Sequence, residues 1–279
     1  MQGLGARLLT GYLWLVLLFL YVPILVMAAM GFNASPLYAL PFDFDLVWYK
    51  ALAGNAKLIN AGVNSVGIAV ANTVIATALG TMAALAFARY QFRGKTVLQL
   101  LLFPPVAIPW LVIGTAMLVF FYWIGIKRGL VAILLGHVAL SLPYVIVVVG
   151  ARLATFPRAV EEAAATLGAT PWQTFRRVTA PILAPGVIGG ALFAFAVSFD
   201  QFVISYFLAP PGTTTLPVEI YGAIRKGFTP EINAISTIII VVSMGLAIFL
   251  LAMINERQRE FGAMRALGAN LNHLRRFLF

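Results

Sequence analysis

Six stretches of this sequence are apolar for about twenty residues at a time, the length at which a helix rising about 1.5 Å per residue crosses a hydrocarbon core about 30 Å thick. They lie near Tyr12 to Gly31, Val63 to Ala88, Val97 to Ile124, Leu130 to Ala151, Gly186 to Leu208 and Ile232 to Ile254. A water-facing surface cannot be built around them, because only 10% of the residues are charged and mean hydropathy is +0.96. The alternating pattern of a membrane β-barrel is absent, and a helix satisfies its own backbone groups where water does not reach. The expected class is therefore all-α: a polytopic membrane protein with six transmembrane helices.

The formal net charge of +10 raises nucleic acid as a partner, so the placement of the basic residues has to decide. Six spans put both termini on one side, together with Arg7, Arg89, Arg93, Lys95, Arg152, Arg158, Arg176, Arg177, Arg257, Arg259, Arg265, Arg275 and Arg276. The other side receives Lys50, Lys57, Lys127, Arg128, Arg225 and Lys226. Thirteen against six is the positive-inside bias, which places the termini in the cytoplasm and accounts for the basicity without nucleic acid. With Arg7 before it and Ala28 and Ala29 at its end, the first run has the outline of a cleavable signal segment. It is long enough to span, however, and its removal would leave five helices and spoil the bias. Cysteine is absent and there are two histidines, which excludes disulfides and thiolate metal sites.

Between the spans the punctuation is informative. The outer segment Phe32 to Gly62, with Pro36, Pro41, Asp43, Asp45 and Trp48, is too polar to insert and too short for a domain. The basic turn Arg89 to Lys95 needs no role beyond holding topology. Pro104, Pro105 and Pro109 require the third span to kink or break, which suits either a lining of a pathway or a bend that fits a bundle. His137, alone in an apolar helix, reads as a hydrogen-bonded interior histidine.

The most unusual segment is EEAAATLGATPWQTFRRVTAP, Glu161 to Pro181. Pro157 suits the first position of a helix and Gly168 the position just past its end. Thr170, Pro171 and Gln173 supply an N-cap, a first-turn proline and a capping-box partner for a second short helix ending near Pro181. On the first helix Val160, Ala163, Ala164 and Leu167 share a face, with Glu161 and Glu162 beside it. The segment is either an elbow packed on its own bundle or a docking element.

Its residues match a family. Glu162-Ala163-Ala164, Gly168, Val178 and Pro181 have the spacing of the EAA loop, and the chain resembles the permease subunits of type I bacterial ATP-binding cassette importers. Ala180 departs from the leucine usual there. The resemblance implies the MetI-like permease fold, a sister permease completing one central path, two ATPase subunits docked from the cytoplasm, and a periplasmic or lipid-anchored solute-binding protein outside. It implies a bacterial inner-membrane location and alternating access driven by ATP. It makes Glu161, Glu162, Ala163, Ala164, Gly168 and Pro181 the ATPase-coupling set. No GxxxxGK[ST] occurs, so ATP and Mg are expected on the partner, no cofactor on this chain, and no enzyme activity in it.

For the cargo, Asp200 is the one carboxylate in any expected membrane core, where a charge costs about 2.5 to 3.5 kcal/mol on insertion scales. Ser198, Gln201 and Ser205 form a stripe from which Asp200 is offset. Asp200 either faces the path or pairs with a group at a subunit interface. The string Phe193 to Ile238 is similar to the PotC-type branch of spermidine and putrescine permeases, where two adjacent acids stand in place of Asp200-Gln201. The resemblance implies a polyamine or related amine as substrate, with Asp200, Gln201, Ser198, Phe199 and Tyr206 as the substrate path or gate. Alternatives are a phosphonate or other organic solute, an ion-coupled secondary transporter using Asp200, and, more distantly, an intramembrane enzyme.

Three further expectations concern the outer and terminal segments. Ala209 to Thr229, with Glu219, Arg225 and Lys226, is a docking surface for a binding protein or an ordinary solvated loop, and Tyr206 and Tyr221 are aromatic path residues or interfacial anchors. Thr229, Pro230 and Glu231 read as the start of the last helix. The domain division is residues 1–254 as one six-helix unit containing the coupling loop 157–181, and residues 255–279 as a cytoplasmic tail. That tail carries Phe261, Met264, Leu267, Leu271, Leu274 and Leu278 at helical spacing, suited to membrane lipid or to the ATPase.

Overall fold

The computed structural model describes residues 4–36, 39–227 and 230–245. Among them the chain is helical apart from its connections and an isolated bridge between Asn33 and Phe44. The elements are α1 (Leu4–Met30), α2 (Val47–Gly54), α3 (Ala56–Arg89), α4 (Lys95–Leu102), α5 (Pro104–Ala107), α6 (Trp110–Trp123) and α7 (Leu130–Ala154). Then come α8 (Arg158–Thr166), α9 (Pro171–Thr174), a π-helical turn at Phe175–Thr179, α10 (Ala180–Phe199), α11 (Val203–Leu208), α12 (Leu216–Lys226) and α13 (Glu231–Gly245).

Among the described residues, four helical stretches are long and apolar enough to cross a membrane: Gly5–Met30, Ala56–Arg89, Leu130–Ala154 and Pro171–Phe199. The third expected span is broken, as its prolines require. Ile108 precedes Pro109 and is extended, at φ −83° and ψ 136°, the conformation that a following proline ring favours over the helical one. The sixth expected span starts on schedule at Glu231 but is described only to Gly245; Thr229 and the tail beyond Met253 lie outside the described residues.

The fifth span departs from expectation at both ends. The second short helix does not stop near Pro181: α9, the π-turn and α10 form one continuous helix from Pro171 to Phe199. A proline inside an α-helix removes a hydrogen bond and crowds the preceding turn. Here the preceding turn is π-helical, with the Ala180 N–H bonded to the Phe175 carbonyl, and its wider loop accommodates Pro181 without ending the helix. At the other end, the expected run to Leu208 is interrupted after Phe199 and resumes as α11. The Gln201 carboxamide oxygen accepts the Val203 N–H at 3.1 Å, a side chain replacing the backbone acceptor of an unbroken helix.

The described residues form two compact units, one from those up to Ile59 together with those from Gly222 to Gly245, the other Asn60–Tyr221. In the first, the connection after α1 folds about buried Asn33, whose side chain accepts the Asp43 N–H at 3.2 Å and donates to the Ala39 carbonyl at 3.1 Å. The Trp48 indole donates to the Asn33 carbonyl at 2.8 Å.

In the second unit α7 is the axis. Its C-terminal half packs Val145, Ile146, Val149 and Leu153 against Ala76 and Ala84 of α3 and Leu183 and Ala194 of α10. Its N-terminal half packs Ala132, Ile133 and Leu140 against Ile113 and Phe121 of α6 and Ile204 and Leu208 of α11. The α7–α10 crossing is close: a Cβ on Gly186 would lie 2.7 Å from the Arg152 Cβ, so the residue there has to be glycine. Arg152 also donates from Nε to the Ile182 carbonyl at 3.0 Å, tying the two helices where α10 begins.

Candidate functional site: coupling segment and translocation path

The coupling segment starts one residue later than expected. Pro157 is the N-cap at φ −67° and ψ 130°, and α8 begins at Arg158. Gly168 ends the helix as expected, at φ +88°. The Gly168 N–H reaches the Ala165 carbonyl at 2.9 Å and the Ala169 N–H the Ala164 carbonyl at 3.1 Å, the paired bonds of a Schellman turn. Thr170 and Gln173 form the expected capping box, at 3.3 Å from the Gln173 N–H to Thr170 Oγ1 and 2.9 Å from the Thr170 N–H to Gln173 Oε1.

The face read as one unit is divided. Val160 packs on the core beneath it and Ala164 is half-buried, whereas Ala163 is exposed and Leu167 is 88% exposed. Beyond the turn Trp172, 67% exposed, stacks on Phe175 at 5.7 Å. The segment therefore leaves Leu167, Trp172 and Glu162 exposed.

The two adjacent acids separate as sharply. Glu161 points inward: one carboxylate oxygen accepts from Thr179 Oγ1 at 2.7 Å, and the other lies 3.0 Å from Arg89 Nε. The Arg89 contact is an ion pair by distance rather than an aligned hydrogen bond, since Nε and Nη2 make none. The same guanidinium lies over the Phe156 ring at 5.1 Å, and Arg158 donates to the Arg89 carbonyl at 2.8 Å. From sequence Arg89 has only a topological role; in the fold it joins α3, α8 and the π-turn. Its signal was weak, since a basic residue ending a span is ordinary. Pro181, the last of the coupling set, is exposed within the continuous helix.

The residues expected to line a path also separate. Ser198, Gln201 and Ser205 are buried, whereas Asp200 is exposed at the C-terminal cap of α10. Ser198 and Ser205 both meet His137, at 2.8 Å on Nδ1 and 3.0 Å on Nε2. A neutral imidazole donates from one nitrogen and accepts at the other, and a hydroxyl serves either, so the expected interior histidine is fully satisfied. One turn along the same helices Asn72 Nδ2 donates to Ser141 Oγ at 3.0 Å and to the Ala194 carbonyl at 2.9 Å. The polar layer thus lies between the two apolar cores of α7. Neither Asn72 nor the partners of His137 were legible as a group, because they come from four separate helical stretches.

Beside the break, Phe199 is half-exposed and stacks on Phe195 at 5.9 Å. Phe202 packs against Tyr206 at 5.4 Å and Tyr221 at 4.8 Å, and both tyrosines are exposed. Among the described residues no cation pairs with Asp200. The proline-broken third span, by contrast, borders an apolar cavity of about 350 Å³ lined by residues such as Pro104, Ile108 and Met117, with little to guide a polar solute.

Residues 76–261 match the family described as binding-protein-dependent transport system inner membrane component. The chain belongs to this family. It is a permease subunit of an ATP-binding cassette importer and a multi-pass membrane protein. The permease is 34% identical over 245 residues to the spermidine/putrescine transport system permease protein PotC of Escherichia coli (strain K12), covering 88% of this chain and 93% of that one. It is 36% identical over 257 residues to the putrescine transport system permease protein PotI of the same strain, covering 89% and 92%. A bacterial ABC transporter involved in the import of the acidic polysaccharide alginate has the same fold, with TM-score 0.68 at 16% identity over 92% of the permease and 98% of that chain. Family membership sets aside the ion-coupled secondary transporter.

Proposed function

We propose that this permease imports a polyamine, with Asp200 and the aromatic rings beside it forming a cation-selective station on the path. The carrying observation is the exposed Asp200 carboxylate at the C-terminal end of α10. A helix C-terminus carries partial negative charge, so carboxylate and helix end reinforce one another and favour a cation. Tyr206 and Tyr221 add aromatic faces, which attract ammonium groups. The similarity to PotC and PotI supports the same cargo, and the negative spot argues against a phosphonate. On this reading a single acid serves where the polyamine branch has two adjacent ones.

The permease would cross the membrane six times with both termini in the cytoplasm, supported by the basic-residue bias and by α6 and α13 as shorter apolar helices. Residues 1–254 would act as the transmembrane domain and 255–279 as a cytoplasmic tail. A sister permease, different in sequence, would complete the path. Two ATPase subunits carrying ATP and Mg would dock on the coupling segment, and a solute-binding protein would deliver cargo from outside; a bacterial alginate ABC transporter of this fold in complex with an alginate pentasaccharide-bound periplasmic protein supports this. Glu162 would pair with a basic residue of the ATPase, and Leu167 and Trp172 would seat in its groove. Because Pro171–Phe199 is one helix, displacement of the segment would carry directly into the fifth span.

The test is Asp200→Asn in the complete importer, reconstituted in proteoliposomes with its binding protein. Loss of one charge contact is expected to lower spermidine- and putrescine-stimulated ATPase and uptake by about tenfold, the equivalent of about 1.4 kcal/mol. Unchanged stimulation and uptake would remove Asp200 from the path.

A further inference from the structure

The break at Asp200 is held from outside its own helix. Ser198 precedes it on α10 and Ser205 follows it on α11, and one ring on α7, His137, bonds both hydroxyls at 2.8 and 3.0 Å. The three side chains are at most 3% exposed, so water does not compete for these bonds. Residues seven apart on an unbroken helix are separated by about 10.5 Å along its axis, so one ring bonds both hydroxyls there only if the two serine side chains lean toward each other, against the common tilt of side chains toward the helix N-terminus. The bridge therefore fits the broken chain and disfavours the straight one. The neighbouring layer, in which Asn72 joins Ser141 and the Ala194 carbonyl, anchors α7 and α10 one turn away, so the ring cannot follow if the break straightens.

We propose that His137 is a positioning residue that sets where Asp200 stands: by clamping Ser198 and Ser205 on either side of the break, it holds the carboxylate at a helix end, exposed, instead of mid-helix. The proposal rests on the reading of Asp200 as a path residue. The ring touches no cargo and acts only through the two serines. Gln201, with its Nε2 buried and unbonded, does not hold the break alone; its one bond caps α11.

The chain contains no cysteine, so Asp200→Cys places a single thiol at the break. In the complete importer, the rate at which a membrane-impermeant methanethiosulfonate cation labels that thiol is compared with His137 intact and in His137→Leu, His137→Asn and His137→Gln. Leucine fills much of the ring's volume but bonds neither serine. It is expected to change the labelling rate by about tenfold, the scale set by losing buried hydrogen bonds. Asparagine keeps a polar atom near the Nδ1 position toward Ser198, and glutamine one near Nε2 toward Ser205; each should fall between histidine and leucine. A packing role alone would rank the variants by volume and overturn the proposal, as would a leucine variant that labels at the histidine rate. Should His137→Leu fail to assemble, the Ser198→Ala/Ser205→Ala double variant removes the same bonds without touching α7. It should show the same shift, and an unshifted rate there also overturns the clamp. With Asp200 restored, His137→Leu should raise the KM for spermidine uptake while the cargo-independent ATPase rate stays put. A shifted labelling rate with an unchanged KM upholds the positioning and defeats Asp200 as a path residue.

Discussion

Replacing Glu161 and Glu162 separately should give two different failures, although the residues are adjacent and chemically identical. Glu161→Ala removes the 2.7 Å hydrogen bond from Thr179 and the 3.0 Å ion pair with Arg89. A hydrogen bond to a charged group contributes about 1.5 to 3 kcal/mol. The ion pair, with side chains 15% and 20% exposed, adds up to about 1 kcal/mol on the scale of measured pairs. The sum is about 2 to 4 kcal/mol. At roughly 2 to 4 °C per kcal/mol for a chain of this size, thermal unfolding of the purified full-length permease should fall by about 5 to 15 °C. Glu162→Ala removes an exposed side chain, and such changes stay within about 0.5 kcal/mol. Its unfolding midpoint should stay in place while co-purification with the ATPase and cargo uptake fall. Equal midpoint shifts for the two variants, or an unchanged midpoint for Glu161→Ala, would refute the assignment of one acid inward and the other outward.

Two further outcomes follow from the backbone. Gly168→Ala forces an L-residue to φ +88°, at about 1 to 2 kcal/mol; protease cleavage between Thr166 and Thr170 should quicken and ATPase association weaken, and an unchanged cleavage pattern would mean the turn is not needed. Gly186→Val places a branched side chain where even a Cβ lies 2.7 Å from the Arg152 Cβ, overpacking that costs about 1 to 3 kcal/mol; the unfolding midpoint should drop, with Gly186→Ala intermediate, and a flat response would show that the α7–α10 crossing slides freely.

Local punctuation was legible residue by residue. Thr170 and Gln173 announced their capping box, Gly168 its left-handed turn, and Pro104, Pro105 and Pro109 the broken third span, because each effect acts within a few residues of its cause. Pro181 misled for a related reason. A proline ordinarily ends a helix, and whether the preceding turn widens into a π-turn depends on what surrounds it. Thr179, buried in that turn and bonded to Glu161, belongs to those surroundings.

The sequence by itself determined the membrane class, the capped turn from Gly168 to Gln173 and the family. Hydrophobic length and short motifs are properties of contiguous residues, and water and lipid act on them directly. Only the tertiary structure decided what each polar side chain faces. Helical periodicity grouped Ser198, Gln201 and Ser205 apart from Asp200, but it could not say that His137, some sixty residues earlier, would take both serines and leave the acid exposed. Nor could it turn Glu161 toward Arg89 and leave Glu162 free to meet a partner. Those choices are made where separate helices meet, because a buried polar group must find its bond there and an exposed one need not.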